Sequence, residues 1–233
     1  MLIQSATTIQ RDAQVIGALN SPSGASLFAG CAELVGVSMC YGRDEEIYGE
    51  GEDAEFVYMV AVGAVRTYKL LSDGRRQIGA FHLEGDLFGF ESGTTHRLSA
   101  EAISEAVMLV YNRRTIEAVA ARNLEVARKL WKLAARSLDH AEQHMLLLGR
   151  KTATERVASF LLEMQERMRG AASITLPMTR RDIGDYLGLA LETVSRALSQ
   201  LREEGAVELP DARHIRVQRQ LRLRSLADER DAA

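Results

Sequence analysis

The sequence predicts an α+β chain in three parts: an N-terminal β-roll, a long self-associating helix and a C-terminal winged helix-turn-helix. Three observations carry that prediction. Short apolar runs separated by glycine-bearing turns fill the first half, and after about Arg113 the period becomes helical, with neither glycine nor proline from Leu124 to Leu148. Near the C-terminus two short amphipathic segments flank a glycine turn and are followed by a pair of strand-like runs. The boundaries read from these changes are 1–113 for the roll, 114–148 for the dimerisation helix and 149–224 for the winged domain.

A length of 233 residues suits two modest domains, each able to bury a core. Apolar residues make up 46% and charged residues 26%, and no run approaches the roughly 18 apolar residues of a membrane span. The N-terminus has no basic patch followed by an apolar run, so the expectation is a cytoplasmic protein. Cys31 and Cys40 are the only cysteines. Without a second pair they build neither a disulfide framework nor a four-thiolate metal site, and each reads as a small buried hydrophobe.

Net charge is −3, but its distribution is uneven. Residues 1–149 carry 14 Lys and Arg against 19 Asp and Glu, whereas residues 150–224 carry 14 against 10. All but one of the basic residues in that last stretch are arginines, which suit phosphate and guanine better than a solubilising face requires. The final SLADERDAA reads as a frayed tail.

From about Ser38 to Tyr111, runs such as FVYMVAVGAVRTYKLL and RQIGAFHL are separated by turns at Gly49-Glu50-Gly51, Asp73-Gly74 and Glu84-Gly85-Asp86. Many short strands with such turns mean an all-β barrel or roll. Asp73-Gly74 is the sharpest hairpin signal, because glycine tolerates the positive φ of a tight turn, and Arg75 and Arg76 follow as exposed hairpin residues.

Thr115 is expected to cap a short helix. In the next one, Leu130, Ala134, Leu138, Ala141, Met145 and Leu148 recur at steps of four, four, three, four and three. That is a coiled-coil-like seam. A helix of roughly 25 residues spans about 37 Å, longer than a small domain needs for its own core, so a homodimer along the seam is favoured over a stripe lying on the chain's own roll. Trp131 could touch either surface. Gly149 should break the helix and serve as a hinge before Arg150-Lys151.

Thr152 or Thr154 caps the next helix, whose apolar face is Val157, Phe160, Leu161 and Met164, and Gly170 ends it. A short strand at Ile174–Leu176 precedes Pro177, so a new helix can start at Thr179, with Asp182 three residues on partly imitating a capping box. Ile183, Tyr186 and Leu187 point inward and Gly188 makes the turn. A second helix then runs from Ala190 or Leu191 to about Glu204, burying Val194, Leu198 and Leu201, and Gly205 stops it. AVELPDARHIRVQ, with Pro210-Asp211 at its turn, reads as a wing.

The second helix leaves Glu192, Thr193, Ser195, Arg196, Ser199 and Gln200 toward solvent. Glu192, Ser195 and Arg196 stand at i, i+3 and i+4, on one face near the end that enters a major groove. Arg196 can bond guanine O6 and N7 in bidentate fashion, and Glu192 can accept from cytosine N4. The competing reading is an i,i+4 surface pair worth about 0.2 to 0.5 kcal/mol. Thr179, Arg180, Arg181, Thr193, Ser199 and the wing's Arg213 are the expected contacts to the DNA backbone.

TRRDIGDYLGLALETVSRALSQLREEG, preceded by TATERVASFLLEM, closely resembles the DNA-binding domain of the cyclic-AMP receptor protein and fumarate-nitrate regulator superfamily, most of all its FixK-like branch of bacterial activators. The resemblance covers roughly four fifths of the chain. It implies a cyclic-nucleotide-binding-type jelly roll, a dimerisation helix and a winged helix-turn-helix. By matching the motif, Glu192, Ser195 and Arg196 would read TTGA in a palindrome of the type TTGA, six bases, TCAA, one half-site per subunit. It also implies activation of microaerobic, nitrogen-fixation or denitrification genes through contact with RNA polymerase.

The departures bear on ligands. Where the cyclic-AMP branch has an acidic residue, GDLFGFES places Phe90, with Glu91 beside it. HRLSAEA places Leu98 before Ser99 where the phosphate-gripping arginine belongs, with Arg97 one residue off. The long helix offers Ala141 and Glu142 in place of hydroxyl residues, and Glu142 would repel a phosphate. No cyclic nucleotide is therefore expected. Two cysteines per subunit fall short of an iron-sulfur cluster. His82, His96, His140, His144 and His214 form no arrangement that recommends haem, so no cofactor is expected. Some FixK-like proteins carry a redox-reactive cysteine in the first helix of the motif, but LPMTRRDIG has none.

Neither HExxH, GxSxG nor a P-loop occurs, which argues against an enzyme. The expectation is a transcription activator, the alternative being a repressor with the same DNA-binding head.

Overall fold

The computed structural model describes residues 28, 31, 33–168 and 172–228. The chain divides into two compact units, Met1–Arg136 and Ser137–Ala233.

The first unit is built from β1 (Val37–Tyr41), β2 (Glu46–Tyr48), β3 (Phe56–Val62), β4 (Val65–Leu70), β5 (Arg76–His82), β6 (Leu87–Phe88), β7 (Ser99–Ala102) and β8 (Ala106–Asn112). They form two antiparallel sheets, ordered β1-β8-β3-β6 and β2-β7-β4-β5. Strand β3 explains the continuous apolar run of the sequence, because both of its faces are covered. Tyr58 and Val60 join Tyr48, Val65, Phe88, Met108 and Val110 in one core. Val57 and Met59 face the other way, onto Leu109 and Tyr111 and the helical residues Ile116, Val119 and Val126.

The run FVYMVAVGAVRTYKLL is two strands, parted at Gly63. Its φ of 88° and the approach of the Glu105 carbonyl, 2.4 Å from where a Cβ would stand, make a side chain there untenable. The Asp73-Gly74 hairpin forms as read: β4 pairs with β5, Gly74 has φ 83°, and Asp73 Oδ1 accepts from Arg75 N at 3.0 Å. Arg75 is exposed, while Arg76 is half covered, its guanidinium 5.7 Å from the centre of the Tyr68 ring.

Three local expectations are corrected. Asn112, not Thr115, caps the short helix α1 (Arg113–Ala120), its Oδ1 accepting from Thr115 N at 3.2 Å. Cys40 is exposed and Cys31 is partly covered; β1 lies at a sheet edge, where among the described residues its outward side chains are not covered. Helix α2 (Leu124–Arg150) runs through Gly149, which adopts no positive φ.

The break falls instead at Thr152, the N-cap of α3 (Ala153–Arg167), whose hydroxyl accepts from Glu155 N at 3.4 Å while its own N–H donates to the Glu155 carboxylate. Val157, Phe160, Leu161 and Met164 are fully buried. Gly170, expected to end this helix, lies outside the described residues. The second unit continues with β9 (Ser173–Thr175), α4 (Arg180–Leu187), α5 (Leu191–Glu203), β10 (Val207–Glu208), β11 (His214–Val217) and α6 (Gln220–Ala227). The three strands form one sheet, ordered β10-β11-β9.

Helix α6 was not foreseen, and it claims the first residues of the supposed tail. Leu223, Leu226 and Ala227 are buried, and Lys151 Nζ donates to the Ala227 carbonyl at 2.8 Å. Three apolar residues within two turns, spaced for one helix face, were the available signal.

Candidate nucleic-acid interface

The helix-turn-helix is set by local chemistry. Thr179 and Asp182 make a complete capping box: Asp182 Oδ2 accepts from Thr179 N at 2.9 Å and from Thr179 Oγ1 at 2.7 Å, while Thr179 Oγ1 accepts from Asp182 N at 3.2 Å. Gly188 ends α4 in the left-handed region, at φ 64° and ψ 38°. The chain then folds back so tightly that the Leu189 carbonyl oxygen lies 2.6 Å from where a Gly184 Cβ would be. Val194, Ala197, Leu198 and Leu201 anchor α5 in the core.

Glu192 and Arg196 are exposed on the opposite side of α5, and Ser195 is half covered. Among the described residues no ion pair joins Glu192 to Arg196. Arg196 Nη2 instead donates to Thr193 Oγ1 at 3.3 Å. Ser195, Arg196 and Ser199 line one shallow depression with Gln200 and Glu203. Of the expected backbone contacts, Arg181 is exposed. Arg180 reaches back across the turn, its Nη1 3.4 Å from Ser195 Oγ. The Thr179 hydroxyl is engaged in its cap. Arg213 lies in the wing turn, where Asp211 Oδ1 accepts from Arg213 N at 2.8 Å and from His214 N at 2.9 Å. Those backbone bonds, and the His214 ring after them, hold the Asp211 carboxyl at about 2.

Several contacts that position this surface do not follow from the sequence pattern. Thr154 Oγ1 donates to Gln200 Oε1 at 2.8 Å. Arg156 donates to the carbonyls of Lys151 (2.9 Å), Leu148 (2.8 Å) and Leu187 (2.9 Å), so that one guanidinium ties the ends of α2 and α4 together. His140 and His144, an i,i+4 pair on α2, meet Tyr186 of α4. Their spacing was visible, but the partner is 42 residues beyond His144.

On α2 the expected seam is only partly free. Leu130 packs with Leu133 against the roll's second core, and Leu148 Cδ2 lies 3.8 Å from where a Gly188 Cβ would be. Ala134, Leu138, Ala141 and Met145 are exposed. Trp131, left open by the sequence, is 76% exposed, and with Leu138 (60%) and Met145 (66%) it forms steps of seven. The uncovered stripe therefore has the heptad spacing of a coiled-coil seam.

In the roll, the space between the sheets is taken by aromatic rings. Tyr48 stacks on His96 at 3.6 Å, and Tyr58 on Phe88 at 5.3 Å. Phe90 is exposed, whereas the Glu91 carboxylate is covered and accepts from Arg97 Nε at 2.9 Å. Burial holds the His96 imidazole below its ordinary value, against the opposing pull of Glu91. Among the described residues no group of three metal-ligating side chains is placed to hold an ion, and no helix is long and apolar enough to cross a membrane.

A β-roll of this topology with a winged helix-turn-helix defines a class of two-part DNA-binding regulator. Residues 39–123 match the family described as cyclic nucleotide-binding domain, and residues 155–226 the Crp-like helix-turn-helix domain. The chain is 45% identical over 188 residues to the nitrogen fixation regulation protein FixK of Rhizobium meliloti, covering 81% of this chain and 86% of that protein. It is 43% identical over 221 residues to FixK of Azorhizobium caulinodans, covering 93% and 83%. The solved structure of FixK2 from Bradyrhizobium japonicum superimposes with a TM-score of 0.80 at 60% identity, covering 83% of this chain and 98% of that one. The chain belongs to the FixK-like branch of the cyclic-AMP receptor protein and fumarate-nitrate regulator family of transcription regulators.

Proposed function

We propose that this chain is a homodimeric, sequence-specific transcription activator that lays α5 in the major groove of a TTGA, six bases, TCAA palindrome, one half-site per subunit. The observation that carries this reading is the exposed face of α5, where Glu192 and Arg196 have their charged heads in solvent and unpaired with each other. An acidic group facing DNA is costly unless it reads a base or orients the arginine, and base reading is the role this proposal gives it. Arg196 takes guanine through O6 and N7, Glu192 accepts from cytosine N4, and Ser195 lies between them. Arg180, Arg181 and Arg213 supply attraction to phosphates.

The exposed stripe Trp131, Ala134, Leu138, Ala141 and Met145 joins two copies, so that half-site affinities combine. The FixK relatives, named for nitrogen fixation regulation, support target genes of nitrogen fixation, and the proposal adds activation through contact with RNA polymerase in the cytoplasm. The reading includes no cyclic nucleotide and no chemistry. Stacked rings between the sheets and the pairing of Glu91 with Arg97 support that reading.

Selection of bound fragments from random duplexes tests the proposal. Enrichment of the two-fold palindrome is expected, and a reporter fused to that site should rise with the protein. Enrichment of an unrelated motif, or of none, contradicts the base-reading assignment, and a falling reporter makes the protein a repressor with the same head.

A further inference from the structure

Tyr186 is buried on the inward face of α4, yet its phenol is not an ordinary core aromatic. Its hydroxyl lies 3.2 Å from His140 Nε2 and 3.5 Å from Glu163 Oε2. Its ring stacks on His144 at 4.1 Å with 22° between planes and tilts against Phe160 at 5.9 Å. Glu163 is held in turn by Arg167 Nη1 at 3.2 Å. One phenol thus joins α2, through His140 and His144, to α3, through Glu163 and Phe160. Burial raises the Tyr186 pKa, and Glu163 raises it further, so the hydroxyl keeps its proton as a donor.

Packing alone would not require this chemistry. Apolar contacts are non-directional and tolerate small rotations, whereas a phenol, imidazole and carboxylate are satisfied together in few orientations. The position of His140 gives the array its consequence. It lies two residues after Leu138, about 200° around the helix, so α2 carries the exposed stripe on one side and this polar array on the other.

We infer that Tyr186 is a positioning residue whose hydroxyl, shared by His140 and Glu163, locks the helix-turn-helix on the C-terminal end of α2 and thereby sets the spacing between half-sites that the dimer accepts. The inference rests on the dimeric, base-reading function proposed above. The lock fixes rotation of α4 against α2, and Arg156, bonded to carbonyls of both, fixes their separation.

The test uses the full chain, with Tyr186→Phe, His140→Gln and His140→Ala, on single half-sites and on palindromes with five-, six- and seven-base spacers. Tyr186→Phe keeps the ring and loses the hydroxyl bonds. Its affinity for the six-base palindrome should fall about 3- to 10-fold, with half-site affinity changed less than about 2-fold and spacer preference narrowed to match. His140→Gln, which retains an amide, should keep more of that preference than His140→Ala. Hydrogen exchange without DNA should accelerate at residues 140–148 and 180–187 in Tyr186→Phe and stay unchanged in the roll. Equal losses on half-site and palindrome, or an unaltered spacer preference, would make Tyr186 a plain core residue and overturn the inference. If the wild type shows no preference for any palindrome, the functional reading fails on its own. The exchange measurement then still decides the lock, which unchanged rates in Tyr186→Phe would overturn.

Discussion

The roll and the recognition helix draw on the same residue types and dispose of them in opposite ways. In the roll, Arg66 is buried and bonds Glu101 at 2.6 Å, Thr67 meets His82 at 3.1 Å, and Glu91 accepts from Arg97. On α5, Glu192 and Arg196 are exposed, and the arginine donates to a neighbouring threonine. Polar groups that answer one another inside a fold offset much of the cost of their desolvation and are not available to a ligand without breaking those pairs. Groups held on a rigid helix with their charges unanswered by one another are prepared for a partner that supplies the missing contacts. Here the domain that resembles a ligand-binding fold pairs these charges within itself, and the exposed charged face belongs to the DNA-binding head.

That contrast can be broken from either side. A large effect is expected in the roll: Arg66→Ala leaves Glu101 covered without its cation, which should cost about 3 to 5 kcal/mol in denaturant unfolding of the roll. A variant of normal stability would mean that the pairing there is superficial. The exposed stripe of α2 sharpens the comparison, since it is uncovered like α5 but apolar. Leu138→Glu puts a carboxylate into the seam from both copies, at roughly 2 to 4 kcal/mol per subunit, and should give monomers by sedimentation at micromolar concentration. A wild type that is itself monomeric, even on the palindrome, would remove the seam.

A smaller effect is expected from acid. Burial first, then His140 and Arg156, depress His144 from its ordinary 6.5 to about 4, against the raising influence of a hydrogen bond to the Tyr186 backbone. Between those two values the unfolded chain takes up a proton that the folded one refuses, so this contribution to stability is complete above about pH 6.5 and declines as pH falls toward 4. His144→Phe should remove that part of the pH dependence of urea unfolding. An unaltered profile would show that the imidazole is freely solvated. The smallest expectation is no effect: millimolar cyclic AMP or cyclic GMP should give no saturable heat in calorimetry and leave DNA affinity unchanged, whereas micromolar binding would mean that the roll opens.

Local chemistry made much of this legible. The period change at Arg113, the Thr179 and Asp182 cap, the Gly188 turn and the buried face of α5 follow from residues within a few positions of one another. So did the candidate reading face, because i, i+3 and i+4 positions share a side of any helix. What escaped depends on distant partners or on competition between neighbours. Asn112 displaced Thr115 as a cap because both can accept and the earlier one meets the strand end. Gly149 stayed helical because no left-handed residue was needed where Thr152 restarts the chain. Leu130 looked like the rest of the seam, and only the packed roll shows that it belongs to the chain's own core. The His140, Tyr186 and Glu163 array joins residues far apart in sequence, and no periodicity announces it.

The most direct measurement of the central claim is the affinity of Arg196→Ala for three duplexes, followed by fluorescence anisotropy at several salt concentrations: the palindrome, a variant with its guanines replaced, and random DNA. The residue is exposed and alanine is a better helix former, so fold and dimer should persist. Losing one bidentate contact in each half-site should weaken palindrome binding by roughly 2 to 6 kcal/mol if the half-sites contribute independently. Binding to random DNA should change far less, and discrimination at the guanine should vanish. Equal losses on all three duplexes, with a flatter salt dependence, would place Arg196 on phosphate and contradict the account.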